Sequence, residues 1–511
     1  MNHWIIVPVV LPALAATVLV LLGDRLAWQR AIGLAATVAL LAVAIGLALR
    51  ANAGDCWTYA LGDWPAPFGI VLVLDRLAAL MLLLTAIVAL GSLLHALNGC
   101  DARGRYFHAL FQFQLMGLDG AFLTGDLFNL FVFFEVLLIA SYGLLVHGGG
   151  AERFRAGAHY VVVNLTGSAL FLVAVSLLYA MTGTLNMADM ALKVAGAGAA
   201  DAALIRAGAL LLLVVFGVKA ALVPLYFWLP ATYSAAAAPV AALFAIMTKV
   251  GVYAILRVST LIFGADAGIG SAVAQPWLLP AGLVTLALGT LGALAGRTLR
   301  RLIAYLTIAS VGTILAGVGL FREAAVGAAL YYMAHSTLAV ALLFLVADLI
   351  ARGRGAAADR LERAAAVPQP ALLGSLYFVS AVALAGVPPL SGYLGKLLLL
   401  QAAQGEAAAV WVWSTVLACA LLTLVALSRA GSALFWHVAP MEGSPQRGRA
   451  TIADALPAAA LLGCLLGLAA GAQPAARYAR ATAEQLLHPA GYVRAVLGGA
   501  VGRSVETAGR R

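Results

Sequence analysis

Residues 209–230 have the sequence ALLLLVVFGVKAALVPLYFWLP, an apolar run that contains one lysine, Lys219, and two prolines, Pro224 and Pro230. A helix needs about 20 apolar residues to cross the hydrocarbon core of a bilayer. A charge at the centre of such a helix costs about 2.5–3.5 kcal/mol on insertion scales. The run therefore predicts a membrane helix that is interrupted by proline and that retains an energetically costly amine.

Three further charged residues lie inside apolar runs: Glu135 in LFNLFVFFEVLLIASYGLLV (127–146), Lys249 in APVAALFAIMTKVGVYAILRV (238–258) and Lys396 at the end of AGVPPLSGYLGK (385–396). Ionisable residues within membrane helices are rare, and they usually mark the pathway of a proton or an ion. The set predicts a membrane protein that moves protons.

The composition agrees with an all-α integral membrane protein. Hydrophobic residues make up 64% of the chain and charged residues 10%, against about 45–50% and about 25% in soluble domains. The apolar runs are too long for the strands of a membrane β-barrel. The net charge of +10 is interpreted as topology-setting Lys and Arg in loops, so no nucleic-acid partner is expected.

No resident cofactor or metal is expected from the sequence. The four cysteines are scattered and form no C-x-x-C pair, which disfavours structural zinc or an iron–sulfur cluster. No glycine-rich dinucleotide or Walker A motif occurs.

The chain is expected to contain about 14 transmembrane helices, with two inverted five-helix repeats and two discontinuous helices. The predicted divisions are residues 1–105 (spans 1–3), 106–260 (first repeat, spans 4–8), 276–428 (second, inverted repeat, spans 9–13) and 453–511 (last span and C-terminal tail). Lys and Arg concentrate in one set of alternate loops, which predicts that those loops are cytoplasmic and that both termini are periplasmic.

Helix breakers interrupt two of the predicted spans. The seventh span (204–229) contains Pro224 and is followed by Pro230, and the twelfth (370–399) contains Pro388 and Pro389. The two breaks are five spans apart, so the second repeat is inverted relative to the first. Discontinuous helices at matching places in inverted repeats are the best sequence indication of a transport site.

Glu135 and Lys219 are expected to interact near the middle of the membrane, since each ionised group favours the charged form of the other. A proton-transfer switch is one interpretation of this pair, and a static ion pair that joins two helices is the alternative. Lys249 follows a short predicted turn at residues 230–232, so its helix is expected to pack antiparallel to that of Lys219. It is interpreted as the next proton station, with a snorkelling lysine as the alternative.

His335 lies about ten residues into the eleventh span and is expected to carry protons between Lys249 and Lys396. A neutral histidine bonded to a backbone carbonyl is the alternative. Lys396 follows the second break and is interpreted as the counterpart of Lys219, with a lysine near the membrane end as the alternative. Four charged residues lie near predicted span ends, namely Asp75, Arg76, Asp126 and Asp348, and Asp119 lies somewhat deeper in the fourth span. Most of these residues are interpreted as solvated or snorkelling.

Three segments carry a resemblance to a known family: GDLFNLFVFFEVLLIASYGLLVHG (125–148), residues 218–257, and AGVPPLSGYLGK (385–396). They resemble the antiporter-like proteins shared by multisubunit Mrp, Mnh and Pha cation/proton antiporters and the complex I membrane arm. The resemblance implies proton-relay roles for the matching residues Glu135, Lys219, Lys249, His335 and Lys396. Many relatives have a lysine five residues after the histidine, whereas this chain has Val340.

The resemblance also implies partners, namely a large A-type subunit and several small membrane subunits. The leading hypothesis is a subunit of a secondary antiporter that exchanges Na⁺, Li⁺ or K⁺ for protons across a bacterial inner membrane. A proton-pumping subunit of a complex I-type enzyme or a membrane-bound hydrogenase is the second hypothesis. The third is a scaffold whose buried charges only hold helices together.

Overall fold

The computed structural model describes residues 3–439 and 450–498, in which α-helices pack against one another. The first ten helices are α1 (Val7–Leu21), α2 (Leu26–Ala51), α3 (Arg76–Ala96), α4 (Phe107–Leu123), α5 (Leu127–Val146), α6 (Ala151–Thr182), α7 (Met187–Ala195), α8 (Ala202–Ala220), α9 (Leu229–Ala235) and α10 (Ala238–Leu261). They are followed by α11 (Gln275–Leu294), α12 (Leu299–Val318), α13 (Glu323–Gly353), α14 (Pro370–Ala385), α15 (Ser391–Ala402), α16 (Ala409–Phe435), α17 (Ile452–Ala470), α18 (Ala472–Leu487) and α19 (Ala490–Leu497). Two small sheets pair β1 (Trp57–Ala60) antiparallel with β2 (Val71–Leu74), and β3 (Ala364–Ala365) parallel with β4 (Val438–Ala439).

Within the described ranges, 11 helices are long and apolar enough to cross a membrane. They are α2, α3, α5, α6, α8, α10, α11, α12, α13, α16 and α17. The sequence predicted 14 spans, and three of those correspond to helices of only 15, 17 and 16 residues, namely α1, α4 and α14. At 1.5 Å per residue such helices are shorter than a core of about 30 Å.

The centre of the bundle is formed by α10 and α13. Every residue of α10 is buried, as is nearly all of α13 between Ala325 and Ile350. Close packing depends on small residues: a Cβ added at Gly251 would lie 2.4 Å from the backbone nitrogen of Ala220 on α8. Charged or polar groups on α10 and α13 are therefore shielded from lipid.

The first interruption separates α8 from α9. α8 ends at Ala220, Ala221 has a left-handed backbone (φ +59°), and α9 begins only at Leu229. Pro224 lies in the non-helical stretch and has no N–H to donate. The predicted turn at residues 230–232 is wrong, because Pro230 lies in the first turn of α9, where the fixed φ of proline suits a helix start.

The second interruption separates α14 from α15. α14 ends at Ala385, and Gly386 adopts φ +83°, a left-handed conformation that favours glycine. Pro388 and Pro389 follow, and α15 begins at Ser391. Residues 370–399, predicted as one span, are therefore two helices joined by a non-helical turn.

A polar cluster fixes the connection between α3 and α4. The guanidinium of Arg30 donates two hydrogen bonds to Asp101, at 2.7 and 2.8 Å, and the Nε2 atom of His108 lies 3.1 Å from the same carboxylate. Burial alone would raise the pKa of Asp101, but the hydrogen bonds from His108 and Arg30 outweigh it and lower the pKa to about 2. Asp101 is therefore ionised under ordinary conditions.

Candidate functional site

Glu135 on α5 and Lys219 on α8 are connected through α6. The hydroxyl of Ser168 donates a hydrogen bond to the Glu135 carboxylate, and the Lys219 amine donates to the same hydroxyl at 3.4 Å. The amine also donates to the backbone and side-chain oxygens of Asn164, at 3.4 and 3.3 Å. Asn164 and Ser168 are four residues apart, so they lie on one face of α6.

The predicted Glu135–Lys219 pair is thus indirect. No ion pair within 4 Å joins these two residues in the part of the chain that the structure describes. The side chain of Lys219 is nevertheless almost fully buried, with 5% of the residue exposed. The hydrogen-bond acceptors of the Lys219 amine are neutral oxygens. The Glu135 carboxylate is connected to the amine only through the Ser168 hydroxyl.

The non-helical stretch after Lys219 is held by side chains. The backbone N–H of Val223 donates to the hydroxyl of Thr285 on α11 at 3.0 Å, and the indole N–H of Trp228 donates to the carbonyl of Val218 at 3.1 Å. Backbone groups freed by a helix break must find such partners inside a membrane. The break is therefore a built feature that places Lys219 at the carboxyl end of α8.

Lys249 is completely buried on α10. Its amine contacts two hydroxyl groups, those of Thr248 at 3.4 Å and of Ser310 on α12 at 3.2 Å. Among the ion pairs of the described residues, none includes Lys249. An ammonium group in apolar surroundings without a counter-charge is costly, so this position does not contribute to stability as an ordinary ion pair would.

Lys396 and His335 both lie against the second helix break. The Lys396 amine donates to the backbone carbonyl of Ala385, the last residue of α14, at 2.7 Å. His335 is fully buried on α13, and its Nδ1 atom lies 2.9 Å from the hydroxyl of Ser391, the first residue of α15. Its Nε2 atom has no hydrogen-bond partner among the described residues.

Ser168, Asn164 and Ser310 contact the buried charged residues, and sequence reasoning missed all three. Hydroxyl and amide side chains are ordinary in membrane helices, where they often bond to the preceding turn. The signal that could have found them is the i, i+4 spacing of Asn164 and Ser168 within an apolar helix that is expected to lie beside α5.

Asp75 and Arg257 form a buried ion pair of 2.6 Å, with side-chain exposures of 1% and 3%. The interpretation of Asp75 as solvated or snorkelling is wrong. The ring of Tyr492 on α19 lies 5.0 Å from the Arg257 guanidinium. Asp75 and Tyr492 are both distant in sequence from Arg257, so the local sequence does not predict these contacts.

Two other aspartates also differ from expectation. Asp348 accepts contacts from His95 (3.1 Å), Arg300 (3.0 Å) and Arg352 (2.6 Å), so it forms a charged network. Asp119 is 1% exposed, and neither carboxylate oxygen has a partner among the described residues. Neither residue is simply solvated.

The described residues contain no group of three or more His, Cys, Asp or Glu side chains placed to hold a metal ion. The predicted site residues carry three amines, the Glu135 carboxylate and the His335 imidazole, and several of their polar contacts are hydroxyl groups. These are groups that hold and exchange protons.

The chain is similar to known membrane proteins over most of its length. The family model described as "NADH:quinone oxidoreductase/Mrp antiporter, TM" matches residues 124–423. The D-type subunit of a probable K(+)/H(+) antiporter from Rhizobium meliloti is 43% identical over 97% of this chain and 98% of its own. The D-type subunit of the Na(+)/H(+) antiporter from Alkalihalophilus pseudofirmus is 38% identical over 97% of this chain and 100% of its own.

A solved structure shares the whole fold. One chain of the Mrp complex from Dietzia sp. DQ12-45-1b is 29% identical and superposes with a TM-score of 0.87, covering 98% of this chain and 100% of that one. The prediction of a helical membrane protein with an antiporter-like fold is confirmed. This chain belongs to the NADH:quinone oxidoreductase/Mrp antiporter family of membrane proteins.

Proposed function

We propose that this chain is the proton-translocating D-type subunit of a multisubunit monovalent cation/proton antiporter, and thus part of a secondary transporter and not an enzyme. The names of the two antiporter relatives support this function. The observation that carries it is that Lys219, Lys249 and Lys396 are held inside the protein by hydroxyl and carbonyl oxygens, without a directly paired carboxylate. Such amines are free to exchange protons.

The proposed carriers are Glu135, Lys219, Lys249 and Lys396, with His335 beside the last step. Loss of the negative charge near Lys219 removes a favourable interaction with its ammonium group and promotes release of its proton. The proton passes to Lys249 on the adjacent helix and then towards Lys396. The same proton transfers in the opposite order return each group to its starting protonation state.

The proposed topology keeps 14 spans, because short helices also cross a membrane when other helices shield their ends. The proposed repeats cover residues 106–260 and 276–428, and they are supported by one interruption in each. Both termini are placed in the periplasm of a bacterial plasma membrane, on the distribution of Lys and Arg.

The proposed partners are a large A-type subunit and small membrane subunits within the same bilayer. The transported cation is Na⁺, K⁺ or Li⁺. A proton-pumping subunit of a redox complex is the second candidate, since the matching family model is described for NADH:quinone oxidoreductase as well as for Mrp antiporters.

The test is cation-dependent proton exchange in everted vesicles, with Na⁺ and K⁺ supplied in turn. Glu135→Ala and Lys219→Ala are expected to abolish exchange while the complex still assembles. Near-normal exchange in both variants would favour a scaffold. Stoichiometric iron–sulfur in the intact complex would instead favour the redox candidate.

A further inference from the structure

A small cavity is lined by residues of α11, α12, α13, α14, α15 and α16. Its volume is about 20 Å³, and its polar lining residues are Ser310, Thr313, Tyr332, Lys396 and Thr423. A cavity needs about 10–15 Å³ of this kind of space and two to four polar partners to hold a water molecule. The volume is sufficient for one water molecule, and five of the lining residues carry a hydroxyl group or an amine.

Ser310 connects the cavity to Lys249. The Lys249 amine donates to the Ser310 hydroxyl oxygen at 3.2 Å, and the hydroxyl donates to the Thr307 carbonyl at 2.7 Å. A hydroxyl oxygen has two acceptor lone pairs, so one remains available towards the cavity. Lys249 contacts the hydroxyl and Lys396 lines the cavity, which places Ser310 and the cavity between the two amines.

His335 lies outside this connection. It does not line the cavity, and the ring of Tyr332, which does, lies 5.5 Å from the imidazole ring. On its other side, a Cβ added at Gly392 would lie 2.7 Å from the His335 Nε2 atom, so α15 packs closely against the imidazole. Val340, which stands where many relatives have a lysine, is fully buried and apolar.

We propose that this cavity binds one water molecule, and that Ser310 and this water carry the proton between Lys249 and Lys396 without His335 as an obligatory carrier. The proposal rests on the proposed function. The Ser310 hydroxyl turns from the Thr307 carbonyl and gives its proton to the water, while it takes one from the Lys249 ammonium group. The water gives one of its protons to the neutral amine of Lys396. Ser310 and the water end unchanged, and one proton has moved.

The test compares Ser310→Thr with Ser310→Val in the intact complex, assayed as vesicle exchange. Threonine and valine have nearly the same shape, so any effect of the added methyl group is common to both variants and only the hydroxyl differs. We expect Ser310→Val to exchange protons at least about tenfold more slowly than Ser310→Thr, since a positioned proton carrier raises the rate of proton transfer by about 10²–10⁴-fold. His335→Gln is expected to exchange faster than Ser310→Val.

Thr85→Val is the matched control, because the Thr85 hydroxyl is buried on α3 and bonds to the Met81 carbonyl of its own helix, at 2.8 Å. It is expected to exchange at the wild-type rate. Equal rates in Ser310→Val and Ser310→Thr would overturn the proposal. If both variants are inactive, a density map of the wild-type complex decides: a water peak within hydrogen-bond reach of Ser310 and Lys396 supports the proposal, and an empty cavity overturns it.

Lys249→Met, assayed in parallel, separates this proposal from the function on which it rests. Normal exchange in Lys249→Met would contradict the proposed function itself. An inactive Lys249→Met together with an active Ser310→Val would contradict only the water connection.

Discussion

Glu135 and Lys219 share one hydroxyl group, that of Ser168, which donates to the carboxylate and accepts from the amine. A direct ion pair would hold both charges firmly in place. A bridging hydroxyl keeps the two groups within electrostatic range of each other, and it can rotate to pass a proton between them. The three side chains come from α5, α6 and α8, so relative movement of these helices would change the connection.

We predict that Ser168→Ala lowers the rate of proton exchange by about tenfold or more. The substitution removes a positioned proton donor, and such groups raise the rate of proton transfer by about 10²–10⁴-fold. The measurement is cation-driven exchange in everted vesicles that contain equal amounts of assembled complex. Thr166→Val is the matched control on α6, since the Thr166 hydroxyl is exposed and bonds to the Val162 carbonyl. Equal exchange rates in the two variants would show that Ser168 only packs α6 against its neighbours.

Lys249 and Arg257 lie on the same buried helix, and we predict opposite effects on stability when each is replaced by methionine. Arg257→Met leaves Asp75 buried and unpaired, which costs about 3–5 kcal/mol. Lys249→Met removes a cation that has only hydroxyl partners, so it is expected to leave the stability unchanged or higher. Thermal unfolding of the purified complex at one pH measures both. A loss in Lys249→Met as large as that in Arg257→Met would indicate a structural ion pair at Lys249.

Gly251 allows α10 to pack against the backbone of α8 at Lys219 and Ala220. We predict that Gly251→Ala separates these helices and lowers both the unfolding temperature and the rate of exchange, because the new Cβ would lie 2.4 Å from the Ala220 nitrogen. Gly46→Ala is the control, since nothing lies within 4 Å of a Cβ at that position of α2. Comparable behaviour of the two variants would mean that α8 and α10 can shift apart without consequence.

Asp101 provides a prediction for pH. Its pKa is lowered to about 2 in the folded protein, against about 3.9 in an unfolded chain. A carboxyl group of this kind stabilises the fold fully above about pH 4, and the contribution disappears as the pH falls towards 2. The unfolding temperature of wild type minus that of Asp101→Asn should shrink as the pH falls below about 4. A difference that persists unchanged at pH 3 would contradict this account.

The charged members of the site could be predicted from the sequence because they are conspicuous. An amine or a carboxylate inside an apolar run is costly, so Glu135, Lys219, Lys249 and Lys396 can be found without a structure. Their connections could not be predicted in this way. Whether Ser168 or Ser310 faces a charged group or its own helix depends on the rotation and packing of α6 and α12, which the local sequence does not specify.

The two helix breaks also have features that the local sequence predicts and features that it does not. Proline at 224 and at 388–389 indicates a break, because proline lacks an N–H at any depth. The short helix α9 was missed, since a proline in the first turn of a helix has the same sequence signature as a proline that ends one. The ion pair of Asp75 with Arg257 was missed because the two residues, and Tyr492 which packs against Arg257, lie far apart in the sequence.

The hydrogen bond from Lys396 to the carbonyl of Ala385 joins an amine that we propose to exchange protons to the carboxyl end of α14. Carbonyl groups at a helix carboxyl terminus attract positive charge, so the protonated and neutral forms of Lys396 favour α14 to different extents. Linkage then requires reciprocity: whatever displaces α14 alters the proton occupancy of Lys396, and each proton that arrives alters the resting position of α14 by the same free energy. This one hydrogen bond thereby couples the protonation of Lys396 to the position of α14 in both directions.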